Sequence, residues 1–362
     1  MKPIEIAQWR MHNLGLWSTH ATRPADVVSR LGAMQAQDFP YAKWSLAQRL
    51  EGVGESKVDR AFDKGTFLRT HVLRPTWHFV PRRDIRWMLQ LTAPRVIAMG
   101  AAANRHLELD DRVFARTNRI ITKALEGGKH LTRRELVTAL NRGKIMGTGQ
   151  RFAHILLRAE LEGLICSGPR KGKEHTYALL DERVGRGRVL AGEAALAELA
   201  RRYFNTRGPA TLRDFSWWAS LKMSDCRAAL ALLGDELDSR EVEDRTYWFA
   251  RSSAPPKLRN GTIDLIQVYD ECVVSYTLSR DALVAVDKIP REIMFFWHPM
   301  LLDGQLVGHW RRRTKGDLMW LEMFTYRKLR AGEKSSLDNA ITRYQDFIGR
   351  PVDIEMTSDP RT

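Results

Sequence analysis

The chain has 362 residues, 44% hydrophobic and 28% charged, a balance that suits a globular protein of two or three domains with a real core. Lys and Arg number 58 against 43 Asp and Glu, for a formal charge of +15, so a polyanion is the expected partner and nucleic acid the commonest one. No apolar run is long enough to span a bilayer, "MKPIEIAQWRMHNLGLW" carries Glu5 and Arg10 where a secretory signal would be apolar, and Cys166, Cys226 and Cys272 are too scattered for a disulfide scaffold, so a reduced, cytoplasmic setting is expected.

In chain order, helices are expected over Ile4 to Leu14, Pro24 to Met34 and Lys57 to Lys64. Between the last two lies "LGAMQAQDFPYAKW", in which Gln35 and Gln37 follow an apolar run and precede Asp38. Amides are poor acids, poor bases and unusual metal ligands. Such a pair either bonds the backbone locally or holds something small in a fixed geometry. "LEGVGESKVDRA", Leu50 to Ala61, has the Gly-x-Gly of a helix-hairpin-helix phosphate cradle without its first helix, which favours a Gly-rich turn into a capped helix. "FLRTHVLRPTWHFV" reads as a hairpin turning at Arg74–Pro75 and carrying Arg69, Trp77 and His78; "RRDIRWMLQL" closes the unit as a helix.

The clearest architecture follows. A helix from Arg112 to Gly127, a second opened by a capping box at Thr132 and Glu135, and a third over "GQRFAHILLRAELEGLI" lead into "ICSGPRKGKEHTYALL", two β-prone runs around a basic turn with Arg170, Lys171 and Lys173. Three helices and a basic hairpin make a winged helix-turn-helix. The plan repeats: a helix stopped by Gly208 and Pro209, a capping box at Thr211 and Asp214, a helix capped by Ser224, and a two-stranded wing around Glu243–Asp244. Trp217–Trp218 reads as core before stacking platform. The first hundred residues fit the same scheme, giving a tandem array. After Pro255–Pro256 the character changes to a mainly β module, a small barrel or curved sheet, with a hairpin at Asp303–Gly304, a strand over "DLMWLEMFTYRKL" and a final helix over "SSLDNAITRYQDFIG". Asp270–Glu271 is either a carboxylate pair near a site or a salt-bridge partner. The expected fold class is therefore α+β: winged-helix units at 1–104, 105–188 and 189–254, and a C-terminal β-rich domain at 255–362.

Several chemistries lack their motifs. There is no GxxxxGK[ST], HExxH or GxSxG; "GRGRVL" at Gly185 fails as GxGxxG; and "HLE" at His106 has no PCxxC after it. No metal and no cofactor is expected.

Four stretches, "GAMQAQDFPYAKWSLAQRL", "FLRTHVLRPTWHFVPRRDIRWML", "VYDECVVSY" and "LLDGQLVGHWRR", resemble the AlkZ-like family of bacterial DNA glycosylases, in the family's order and over nearly the whole chain. The resemblance implies tandem winged helices with a C-terminal β domain forming a basic cradle for double-stranded DNA, and an enzyme that removes alkylated bases and unhooks interstrand crosslinks. A Gln-x-Gln pair marks one branch of that family and Gln-x-Asp a sister branch; Gln35-Ala36-Gln37 matches the first. Two departures stand out. Arg74-Pro75-Thr76 replaces the more usual Arg-Gly-Thr, and Cys272 and Ser275 stand where tyrosine and glycine are more familiar.

Hydrolysing a glycosidic bond needs a water at the anomeric carbon and relief for the positive charge that builds there. Under this resemblance, Gln35 and Gln37 grip that water and turn their carbonyl dipoles to the cation-like sugar. Amides suffice when the leaving base is already cationic, as an N3- or N7-alkylated purine is. Asp38 is either a competing base or the cap of the element beginning after Pro40. His78 either touches the nucleotide or is a half-buried strand histidine. Arg69, Arg74, Trp77, Arg170, Lys171, Lys173, Arg311 and Arg312 are the candidate DNA contacts, the last two in a charge run ending at Lys315. A tandem array supplies several DNA contacts in one chain, so a monomer is expected. Fold alone would favour a non-enzymatic DNA-binding regulator, since winged helices are more often regulators.

Overall fold

The computed structural model describes residues 1–18, 21–146, 149–185, 187–284, 298–316 and 318–357. Arg186, Asp317 and the Lys315 side chain, at the edges of stretches read above, lie outside the described residues.

Local signals account for most elements of 105–188. Asp110 caps the helix Asp111–Leu125, which buries Phe114, Thr117, Ile121 and Leu125 on one face. Thr132 and Glu135 close their capping box at 2.6 and 3.3 Å to open Arg133–Arg142. Gly149–Leu161 follows, then the hairpin Ile165–Ser167 and Thr176–Leu179, onto which Leu131–Thr132 adds as a third strand. This region keeps its own hydrophobic core.

Helices also fill 189–233: Gly192–Arg207, then Leu212–Ala219 behind the expected Thr211–Asp214 box, then Met223–Leu233. The last begins one residue before Ser224 and is capped from Lys222, not from Ser224, because Asp225 reaches back to the Lys222 N–H. Strands Leu237–Val242 and Arg245–Ala250 pair as a two-stranded hairpin, turning at Glu243 with φ 52°.

The first hundred residues depart most from expectation. The helix from Pro24 ends at Leu31, because Gly32 takes φ 76°, and Met34–Gln35 is already a strand. The element expected after Pro40 is a helix, Phe39–Ala47, that begins directly after Asp38. The hairpin Phe67–Val72 and Arg74–Pro81 turns at Leu73, φ 64°, one residue before the expected point. Sheet order is Met34–Gln35, Arg74–Pro81, Phe67–Val72.

The C-terminal region is an open five-stranded sheet ordered Asp353–Met356, Leu318–Thr325, Gln305–Lys315, His298–Leu302 and Ile263–Leu265, with the helix Ala331–Ile348 against it. Its core is continuous with that of the N-terminal region: Trp44 donates its indole N–H to the Leu265 carbonyl at 2.7 Å, among Phe62, Phe79, Trp310 and Tyr344. Another core joins the other side of the hairpin (Leu68, Val72, Val80) to Tyr203, Phe204 and Trp218. The hairpin and the Gln motif are thus wedged between two cores.

Candidate active site

Gln35 and Gln37 leave one short strand into different surroundings. Gln35 stands opposite His78, and the Ala36 N–H donates to the Trp77 carbonyl at 2.7 Å. Past that point the backbone turns into the helix Phe39–Ala47, and the Gln37 side chain continues the pairing: its Oε1 accepts the Trp77 N–H at 3.2 Å. Arg69 fastens the motif's backbone, donating Nε to the Ala36 carbonyl at 2.9 Å and Nη2 to the Gln37 carbonyl at 3.4 Å. Its guanidinium lies 4.3 Å over the Trp77 ring, and burial lowers its pKa to about 10. Asp38 accepts the Tyr41 N–H at 3.4 Å and caps the new helix, which begins at Phe39 rather than after Pro40.

Gln37, Asp38, Arg69 and Trp77 line a cleft of about 770 Å³, to which residues 105–188 contribute Arg133, Lys173, His175 and Tyr177, and the C-terminal region Tyr269. That volume suits a nucleobase with a substituent attached. His175 sets its ring 4.5 Å from Phe39; burial, aided by Arg69 and Arg170, lowers its pKa to about 4, so it is neutral at pH 7. Trp77 is steadied from behind by His71, 4.5 Å from its ring, which itself pairs with Glu160 on the helix Gly149–Leu161.

Gln35 faces the interior at 5% exposure. Its Oε1 accepts from Arg74 Nη2 at 2.7 Å, and its backbone N–H donates to Glu271 Oε1 at 2.7 Å. The other Glu271 oxygen accepts from Arg207 Nη2 (2.7 Å), Trp218 Nε1 (2.9 Å) and the Ser275 hydroxyl (2.6 Å). Burial would raise the Glu271 carboxyl, but Arg207 and Arg74 overcome it and hold it at about 2. Asp270 pairs with Arg49 through two bonds of 2.8 Å. The salt-bridge reading of Asp270–Glu271 therefore applies, at the start of the short helix Glu271–Val274.

Two expected contacts, Arg74 and His78, are corrected by their burial. Arg74 is not on the surface: the early turn folds it inward, where it also lies 3.3 Å from His78 Nε2 and 3.4 Å from the Trp218 carbonyl, and burial lowers its pKa to about 10. His78 is fully buried rather than half-buried, its pKa lowered to about 3 by burial and by Arg74. Its Nδ1–H donates to the Thr76 carbonyl at 2.8 Å, leaving Nε2 to accept from Arg74, so it cannot touch a nucleotide. Arg170 is tied to Asp63 (2.9 Å) and Asp59 (3.0 Å), Lys171 to Glu135 at 2.9 Å, and Arg311 to Glu322. Arg312 lies 5.3 Å over the Tyr41 ring. Lys173 is exposed and lines the cleft. Trp218 is core, whereas its neighbour Trp217 is 51% exposed.

Arg133, His175, Tyr177 and Tyr269 escaped sequence reasoning. The alternation of His175 and Tyr177 at the start of the strand Thr176–Leu179 was a usable signal for the middle two; nothing local marks the others. Among the described residues, no cluster of His, Cys, Asp and Glu could hold a metal ion, and no helix is long and apolar enough to cross a membrane.

The family model for DNA glycosylase AlkZ-like proteins matches residues 28–347. The "Interstrand DNA cross-link repair glycosylase" of Streptomyces sahachiroi is 24% identical over 322 residues, 84% of this chain and 86% of its own length. The solved structure of Streptomyces sahachiroi DNA glycosylase AlkZ shares the fold, with a TM-score of 0.80 at 21% identity over 99% of this chain and 100% of that one.

Proposed function

The chain belongs to the AlkZ-like family of DNA glycosylases, hydrolases of N-glycosidic bonds, and from that premise we propose that it releases cationic N3- or N7-alkylated purines from duplex DNA. The observation that carries the reading is the place of Gln37: on the rim of an aromatic and basic cleft, beside Arg69 and Trp77. A cationic base departs as a neutral molecule, so the site needs a held water and no general acid. The amide of Gln37 has a second carbonyl lone pair and two N–H donors with which to hold that water, with Gln35 completing the pair beneath it. Asp38, spending an oxygen on the helix cap, supports the pair less as a base than as the turn that points Gln37 into the cleft.

Arg69, Arg133 and Lys173 are the proposed phosphate contacts, and Trp77, Tyr177 and Tyr269 the surfaces against which the damaged nucleotide rests. We read the helix-and-wing segments as three tandem winged helices, with the first unit's hairpin serving as its wing. The cleft's volume supports acceptance of a base joined to a bulky substituent, including one arm of an interstrand crosslink, the substrate class named for the Streptomyces relative.

The test is incubation with duplex DNA carrying N7-methylguanine, followed by alkaline cleavage of abasic sites. Base release by the wild type that falls at least about 100-fold in Gln37→Ala, with DNA affinity retained, supports the reading. Equal release by both proteins overturns the role of Gln37, and no release by the wild type overturns the substrate.

A further inference from the structure

Arg74 has a guanidinium buried to 6% exposure, with its shortest bond, 2.7 Å, to a neutral amide rather than to a carboxylate. The nearby carboxylate is engaged elsewhere: Glu271 gives Oε1 to the Gln35 N–H and Oε2 to Arg207, Trp218 and Ser275. A guanidinium only donates, so the Gln35 atom facing it must be the carbonyl oxygen, and the N–H₂ end is turned away. The same logic fixes Gln37, whose anchor is the Trp77 N–H. Both amides are thus held by the oxygen. Their orientations are set by two different anchors, one on a buried cation and one on a peptide group at the cleft.

We propose that Arg74 is a positioning residue for base release: it holds the Gln35 carbonyl inward, so that Gln35 serves the site as a hydrogen-bond donor and the acceptor's role falls to Gln37. The proposal rests on the glycosylase reading above. Donation by a cation draws electron density from the Gln35 amide and strengthens its N–H₂ as a donor, in the way linked hydrogen bonds polarise one another. His78 contributes from behind, because its lone pair at Nε2 keeps the guanidinium in the plane that reaches Gln35. An apolar side chain of the same length would fill the space without fixing the amide.

The experiment is a mutant cycle read as single-turnover base release and as affinity for lesion-bearing duplex. Arg74→Met and Gln35→Met are each expected to slow release about 10- to 100-fold with affinity changed less than about threefold. The double variant should be no slower than the worse single, because the residues act as one unit. Gln35→Glu keeps size and an acceptor for Arg74 but loses the donor, and should be as slow as Gln35→Met. If Arg74→Met melts below the assay temperature, Arg74→Lys, which keeps the charge and a donor, takes its place in the cycle with a smaller loss, about 3- to 10-fold. Additive losses in a folded double variant, or wild-type release by Gln35→Glu, overturn the proposal. Gln37→Ala measured alongside separates the two ideas: undiminished release there sinks the underlying reading, whereas a slow Gln37→Ala beside a fast Arg74→Met sinks only this inference.

Discussion

The floor and the mouth of the site are built on opposite electrostatic plans. Beneath Gln35, Arg49, Asp270, Arg207 and Glu271 are all fully or nearly fully buried and paired at 2.7–2.8 Å, with Arg74 inserted among them. Around Gln37, Arg133 and Lys173 are exposed and line an open cleft. The floor gives the motif rigidity, because a buried ion pair cannot move without exposing an uncompensated charge. The mouth gives it attraction for DNA, because cations that face solvent can exchange counterions for phosphates. A single residue, Ala36, separates the two plans.

The largest effect should come from breaking the floor. Glu271→Gln removes the charge that compensates Arg207 and should lower the unfolding free energy by about 3–5 kcal/mol, read by urea denaturation. A loss below about 1 kcal/mol would mean that the floor is not held by this pair.

Acid should act next, one buried histidine at a time, at the floor and beyond it. His78 and His298 are both lowered to about 3 by burial, and His175 to about 4, against an ordinary value of 6.5. Each stays neutral in the folded chain and takes a proton when unfolded, so the unfolded state binds more protons and stability falls as pH drops below about 6.5. Glu271, held at about 2, adds a further loss only as pH falls below about 4.5. Thermal melting should decline between pH 7 and 5 by the equivalent of roughly 2 kcal/mol for each of these rings, and His78→Phe should remove one such share of the decline. A flat profile would show that these rings titrate normally.

The smallest effect belongs to the mouth. Lys173→Ala should weaken DNA binding only a few-fold and lower the slope of log affinity against log salt by about one, with melting unchanged. An unchanged slope would remove Lys173 from the phosphate path.

These contrasts also explain what the sequence made legible. The capping boxes at Thr132–Glu135 and Thr211–Asp214 and the one-sided helix Asp111–Leu125 are local, and each stands where its spacing predicts. The helix Phe39–Ala47 was expected only as an unspecified element after Pro40, because only Pro40 of its residues is exposed; an element buried all round has no polar face to reveal its period. Arg74 and His78 were misjudged for a different reason. Their burial follows from a turn at Leu73 and from partners far along the chain, Trp218 and Glu271, and no spacing rule joins such residues. The Gln motif itself was legible as an oddity and, through its resemblance, as a site. That its two amides face different ways was not.

The central claim is that Gln37 holds the nucleophile at the mouth of the cleft. It is tested most directly by single-turnover release of N7-methylguanine from saturating enzyme, wild type against Gln37→Ala, with equal melting temperatures and equal DNA affinity established beforehand. The account predicts a release rate at least about 100-fold slower in the variant. Release at the wild-type rate would contradict it.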